Sequence, residues 1–174
     1  MSKLIIFGHP TFEESLYHRA YLDQLKHSGI EVLNVDHYRT SAELAVARKR
    51  MEEATDIYLQ FPFHWYGLPH NFKRFIDELF IHGWAFGFEG KSALNGKRLY
   101  VITTTGGGEE TYQAGGYNGY AVSDMLTPLK VLATLSEMTY SGELVFYGCS
   151  GEGPDLKDLT RYREFLDVGL NAVE

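Results

Sequence analysis

The sequence predicts an α/β protein, with helices covering both faces of a five-stranded parallel sheet of order 2-1-3-4-5, in one domain over residues 1–174. Three observations carry that expectation. Short apolar runs alternate with longer amphipathic segments along the chain, and strands separated by helices pair parallel with both faces covered. The chain has 174 residues, enough for one domain to bury roughly 70% of its unfolded surface without a disulfide or a metal. Loops with chemistry of their own follow the first, third and fourth apolar runs. In an open sheet of this kind, ligands sit beyond the strand C-termini where the strand order reverses.

Residues 4–7 are the first expected strand, followed by a helix over 15–27 with Leu16, Ala20, Leu22 and Leu25 on its apolar face. Gly29 marks its end, and residues 31–35 form strand two. Ser41 is expected to cap a helix over 42–54, and residues 56–61 form strand three. The next helix, 68–80, has Pro69 in its first turn and Phe72, Phe75, Ile76, Leu79 and Phe80 along one side. Strand four covers 98–103. Ser123 is expected to cap a helix reaching about Met138. Strand five covers 143–147, and a closing helix covers 156–173. Residues 81–96 read as an irregular insert, which at that length implies a task such as covering a site or forming an interface.

Composition narrows the function classes. The formal charge is −7 and no basic run appears, which makes nucleic acid and anionic membrane surfaces poor partners. Cys149 stands alone, so no intrachain disulfide forms, and a cytoplasmic location is expected. No apolar run approaches the ~18 residues of a membrane span, and the start of the chain lacks a signal-peptide pattern. The histidines at 9, 18, 27, 37, 64, 70 and 82 lack zinc-helix spacing, so no metal site is expected. Aromatic residues are abundant and crowd the segment 61–88.

Three loops at strand ends carry the chemistry. Gly8-His9-Pro10, then Thr11 and Ser15, lead into a helix N-terminus whose unpaired amides attract an anion. Taken alone, that loop reads as an N-cap and turn with an incidental histidine. The turn has neither the dinucleotide fingerprint nor the P-loop pattern. The second loop, Pro62-Phe63-His64-Trp65-Tyr66-Gly67-Leu68-Pro69, crowds aromatic residues between backbone breakers, which suits a planar ring. The third, Thr103-Thr104-Thr105-Gly106-Gly107-Gly108, offers backbone amides at close range. Together they match the phosphate, the ring and the polar ring edge of a flavin mononucleotide.

With those residues in view, the chain resembles the flavodoxin-like NAD(P)H:quinone oxidoreductases. It is similar to the small bacterial members that include ancillary subunits of glutathione-regulated potassium-efflux systems. The matching stretches are Gly8-His9-Pro10 with Ser15, the aromatic loop 61–69 followed by Lys73, Ile76-Asp77 and Phe80, His82-Gly83-Trp84-Ala85-Phe86-Gly87, and Thr103 to Glu109. The resemblance implies a flavodoxin-like three-layer sandwich. It implies that His9, Ser15, Leu16, Tyr17 and His18 hold the flavin phosphate and ribityl chain. It further implies that Pro62, Phe63, His64, Trp65 and Tyr66 line the isoalloxazine, and that Thr104, Thr105, Gly106 and Gly107 meet its edge. Tyr112 matches a family tyrosine that in some members works with a histidine on the reduced ring. Asn118 stands near the place of that histidine and cannot take up a proton as histidine does near neutral pH.

The implied activity is ping-pong hydride transfer from NAD(P)H to flavin N5 and on to a quinone or similar aromatic acceptor. FMN is the expected cofactor, with FAD the runner-up. The resemblance also implies a homodimer in which Trp84, Phe86 and Phe88 of the insert reach the neighbouring active site. The alternatives are a regulatory subunit docked on a membrane potassium-efflux transporter, with reductase activity secondary, and flavin binding without efficient turnover. Cys149 is expected to be a small packing residue.

Overall fold

The computed structural model describes residues 2–87, 91–149 and 151–171. Five parallel strands form one sheet: β1 (Lys3–Phe7), β2 (Glu31–Asn34), β3 (Asp56–Pro62), β4 (Arg98–Thr104) and β5 (Thr139–Phe146). Their spatial order is β2-β1-β3-β4-β5, as the alternation of segments predicts. The helices are α1 (Leu16–Asp23), α2 (Ser41–Glu53), α3 (His70–Leu79), α4 (Val122–Met125), α5 (Thr127–Leu135) and α6 (Leu156–Asn171). Among the described residues no helix is long and apolar enough to cross a membrane.

Strand side chains alternate between two cores, because successive side chains of a strand point to opposite faces. Leu4, Ile6, Ile57, Leu59, Phe61, Leu99 and Val101 join Leu44, Met51, Phe72, Phe75 and Leu129 of α2, α3 and α5. Ile5, Phe7, Tyr58, Tyr100 and Ile102 join Tyr21 of α1 with Tyr162 and Leu166 of α6. Tyr21 stacks between Phe146 and Tyr162 at centroid distances of 4.5 and 4.8 Å. At the N-terminal edge of the sheet, fully buried Asp56 is held by the Arg98 guanidinium, whose Nη2 donates to Oδ2 at 2.9 Å.

Element ends differ from expectation where side chains compete with the helix. The cap of α2 is Thr40, not Ser41: Glu43 N–H donates to its hydroxyl, and Thr40 N–H donates back to Glu43 Oε2 at 2.8 Å. The Thr-x-x-Glu spacing explains the choice. Helix α1 stops at Asp23 instead of 27, because the following amides of Gln24 and Leu25 bond three residues back. Ser123 lies inside α4 and does not cap it. There the Asp124 carboxylate accepts from Ala121 N–H.

The expected single helix to Met138 is broken in two because Pro128 has no N–H for the Asp124 carbonyl. The Thr127 hydroxyl donates to that carbonyl instead, at 2.6 Å. Helix α3 begins at His70, with Pro69 as its cap residue. Strand β5 starts earlier than expected and contains a bulge: Leu99 pairs with Tyr140 but Tyr100 with Gly142, leaving Ser141 extra.

The insert packs at the N-terminal edge of the sheet. Trp84 Nε1 donates to Glu52 Oε1 at 2.6 Å, and the Arg48 guanidinium lies 5.7 Å from its ring. Trp84 and Phe86 are half-buried against their own core, at the end of the sheet away from the strand C-termini. Neither reaches a strand-end loop of its own subunit, and Phe88 lies outside the described residues.

Gly8 carries the chain off β1, with its N–H donating to the Gln60 carbonyl at 3.1 Å. A Cβ there would stand 2.7 Å from both the Phe72 ring and the Val35 side chain, and both of those residues are fully buried. Gly8→Ala is therefore expected to destabilise the protein by about 1–3 kcal/mol through overpacking. Urea denaturation measures it, and an unchanged midpoint would contradict the close approach.

Candidate active site

Three loops meet at the C-terminal edge of the sheet because the ladder continues past the strand ends. Phe63 N–H donates to the Thr104 carbonyl at 2.8 Å, and Thr105 N–H to the Phe146 carbonyl at 2.8 Å. Cys149 N–H donates to the Thr105 carbonyl at 2.8 Å, and Gly148 N–H to the Gly107 carbonyl at 2.9 Å. Between these loops lies a cleft of about 350 Å³. That is within the range of small-molecule and cofactor sites.

The loop after β1 and the start of α1 supply His9, Ser15, Leu16, Tyr17 and His18 to this cleft, as expected. Ser15 caps α1, its hydroxyl accepting from His18 N–H at 3.1 Å. The amides of Leu16 and Tyr17 have no acceptor among the described residues, so the helix start presents donors and partial positive charge. His9 Nδ1 accepts from Thr11 N–H at 3.1 Å, which leaves Nε2 to carry the proton. Burial, and then His64 nearby, hold the His9 pKa below its usual value.

Pro62 and Phe63 form part of the wall, and Thr104, Thr105 and Gly106 another part. The threonines have separate tasks. Thr103 donates to the Phe61 carbonyl at 2.8 Å and Thr105 to the Gly107 carbonyl at 2.8 Å, both shaping the loop. Thr104 faces the cleft. A Cβ on Gly106 would meet nothing within 4 Å, so its open side is free for a ligand, whereas Gly107 faces Thr111 and does not line the cleft.

His64, Trp65 and Tyr66 lie outside the walls of this cleft. They form a tight hairpin turn in which His64 and Gly67 exchange backbone bonds at 2.9 and 3.1 Å. Trp65 and Tyr66 both take positive φ, 46° and 67°, and Trp65 is 88% exposed. Two bulky aromatic residues in the left-handed region store strain on the order of 1–3 kcal/mol each, a cost that concentrates at functional sites. Tyr66 OH donates to Asn118 Oδ1 at 3.3 Å. Tyr112 also stands outside the cleft, in an aromatic row between Phe63 and Tyr147 at centroid distances of 6.3 and 6.0 Å.

Glu14, Cys149 and Gly151 line the cleft without having been singled out as ligand contacts in the sequence. The last two come from the loop after β5, and the glycines at 148, 151 and 153 just past that strand were the available signal. Burial pushes the Cys149 thiol up to about 12, and it donates to the Phe146 carbonyl at 3.3 Å. It is therefore a neutral packing group near neutral pH.

His18 is 1% exposed and closes the cleft floor. Burial, and then His9, push its pKa down to about 3 from 6.5. The folded protein holds it neutral while the unfolded chain protonates below pH 6.5, so stability falls as pH drops from 6.5 toward 3. Between pH 6.5 and about pH 5 the wild type is expected to lose about 2 kcal/mol more than His18→Asn. Denaturant titrations at both pH values measure this, and parallel losses would contradict a buried neutral His18.

A family model described as flavodoxin-like fold matches residues 1–167. The chain is 38% identical to general stress protein 14 of Bacillus subtilis over 151 residues, which are 85% of this chain and 86% of that protein. It is 32% identical to a protein named uncharacterized NAD(P)H oxidoreductase YdeQ of the same organism, over 80% of this chain and 72% of YdeQ. It is 28% identical to the potassium-efflux ancillary protein KefG of Yersinia enterocolitica, over 88% and 84%.

Among solved structures, a protein described as a thermophilic tryptophan halogenase from "Streptomycin violaceusniger" superposes with a TM-score of 0.86 at 34% identity, over 94% of this chain and 97% of that one. General stress protein 14 of Treponema denticola, in complex with FMN, superposes at 0.84 with 23% identity, over 97% and 99%. An NADPH-quinone reductase of P. pentosaceus superposes at 0.83 with 23% identity, over 95% and 97%. The chain belongs to the flavodoxin-like fold family.

Proposed function

We propose that this chain is one flavin-binding domain acting as an NAD(P)H:quinone oxidoreductase, with FMN as cofactor. The observation that carries the reading is the cleft at the sheet edge. One wall is a helix start with free amides, another a threonine–glycine loop with an open side, and a strained aromatic turn stands beside it. These are the parts that a phosphate, a ring edge and a ring face require. The names of relatives agree: YdeQ is called an NAD(P)H oxidoreductase, and the Treponema protein that shares the fold is described with FMN. The halogenase name of one structural relative is not carried over, since the reductase names recur across both kinds of comparison.

Flavin bound there would supply two-electron redox chemistry between NAD(P)H and a quinone or similar acceptor. The residues of this chain bind and orient it. Leu16 and Tyr17 amides and the His9 Nε2–H would hold the phosphate. Thr104, Thr105 and Gly106 would meet the ring edge. Phe63 would offer a wall to the ring, with Trp65 and Tyr66 standing beside the cleft. Neutral donors would hold the phosphate: among the described residues the cleft wall carries no lysine or arginine, and its one carboxylate is Glu14. Tyr112, outside the cleft, has its ring centroid 6.3 Å from that of Phe63, which lines the cleft.

In a homodimer, the exposed aromatics Trp65, Tyr117 and Tyr120 would be covered and the site walled off from water. A second reading is favoured by the similarity to KefG: attachment to a potassium-efflux system, with the same cleft occupied by flavin.

The test is the visible spectrum of the purified protein after addition of FMN, followed by anaerobic titration with NADPH and NADH. Flavin bands that bleach with a nucleotide and return with a quinone are expected. Flavin that binds without bleaching would favour the attachment role, and a protein that takes up no flavin would refute the proposal. Gly106→Val is expected to lose FMN with little change in Tm, because its side chain fills open cleft space. Retained FMN in that variant would displace the ring edge from this loop.

A further inference from the structure

Beneath the cleft floor, four side chains from four elements form a continuous hydrogen-bonded chain. The Tyr162 hydroxyl on α6 stands 2.8 Å from Gln60 Oε1 on β3. The Gln60 amide nitrogen stands 3.3 Å from His18 Nδ1 on α1, and His18 Nε2 stands 3.0 Å from Thr104 Oγ1 on β4. Tyr162 and Gln60 are 0% exposed, and of the outer pair Thr104 faces the cleft.

Such a chain has two polarities, related by turning over the Gln60 amide and exchanging the His18 tautomer. In one, every donor points from Thr104 toward Tyr162. The Tyr162 proton then needs an acceptor of its own, and none stands there among the described residues. A buried donor without an acceptor is strongly disfavoured. In the other, every donor points from Tyr162 toward Thr104. The unspent proton is then the one on the Thr104 hydroxyl, at the cleft, where a ligand or water accepts it.

We propose that the buried Tyr162–Gln60–His18 chain fixes His18 as its Nε2–H tautomer and so makes the Thr104 hydroxyl a dedicated hydrogen-bond donor to an acceptor atom of the ligand. Tyr162 and Gln60 are positioning residues: they touch no ligand and act through His18. Burial keeps the ring neutral, so a single ring proton is available and its place is decided by Gln60. The identity of the ligand rests on the flavin reading above, while the polarity belongs to the protein alone.

The test joins two readouts on the full chain. In flavin-free protein labelled with 15N at histidine, the His18 ring is expected to show the proton on Nε2, unchanged from about pH 5 to about pH 8. In FMN titrations, Thr104→Val is expected to weaken binding roughly tenfold, the scale of one lost hydrogen bond, with Thr104→Ser restoring most of it. Tyr162→Phe is expected to release the constraint and give a mixture of His18 tautomers.

An Nδ1–H tautomer in the wild type would overturn the proposal, as would wild-type FMN affinity in Thr104→Val. An unchanged single tautomer in Tyr162→Phe would overturn the role of Tyr162. If that variant does not fold, the wild-type spectrum and Thr104→Val decide the matter. If the wild type binds no FMN, the flavin reading falls and the tautomer alone decides the polarity.

Discussion

The backbone bonds that continue the parallel ladder beyond its strands hold the site together. Phe63 to Thr104, Thr105 to Phe146 and Cys149 to Thr105 tie loops that are far apart in sequence into one surface. Parallel strands end together at one edge, so this stitching needs no dedicated scaffold. Gly8 adds the fourth segment by letting β1 leave the sheet pressed against Phe72 and Val35. Each loop is then free to supply chemistry. One presents helix amides, one a strained aromatic turn, and one an open glycine face.

The electrostatic character of the cleft follows from its floor. His9 and His18 are both pushed toward the neutral form, chiefly by burial. The turn amide of Thr11 donates to His9 Nδ1 and leaves its Nε2 as a neutral donor, while the His18 ring nitrogens are paired with Gln60 and Thr104. Such donors hold a ligand by direction more than by charge, an arrangement suited to orienting an extended molecule across the sheet edge. The same logic keeps Cys149 a thiol, since burial and then Asp158 nearby raise its pKa.

The strands and their order were legible because strand patterning is local: Leu4 and Ile6 face one core, Ile5 and Phe7 the other. The threonine–glycine loop and the helix start were legible because glycine and capping residues act where they stand. Helix ends were less so. Thr40 won the cap from Ser41 through a glutamate three residues on, and Pro128 split a helix whose apolar face runs on past it. The aromatic loop reads as a ring wall; its backbone puts Trp65 and Tyr66 in the left-handed region beside the cleft, where the sequence alone does not place them. The chain Tyr162–Gln60–His18–Thr104 was illegible for a different reason. Its members are separated by 102, 42 and 86 positions, and only the folded sheet makes them neighbours.

The placement of a flavin in the cleft is tested most directly by a crystal structure of this chain grown with FMN. The phosphate is expected against the amides of Leu16 and Tyr17, with the ring edge along Thr104, Thr105 and Gly106. A flavin bound elsewhere, or a cleft that stays filled with water at saturating FMN, would contradict the assignment of this site.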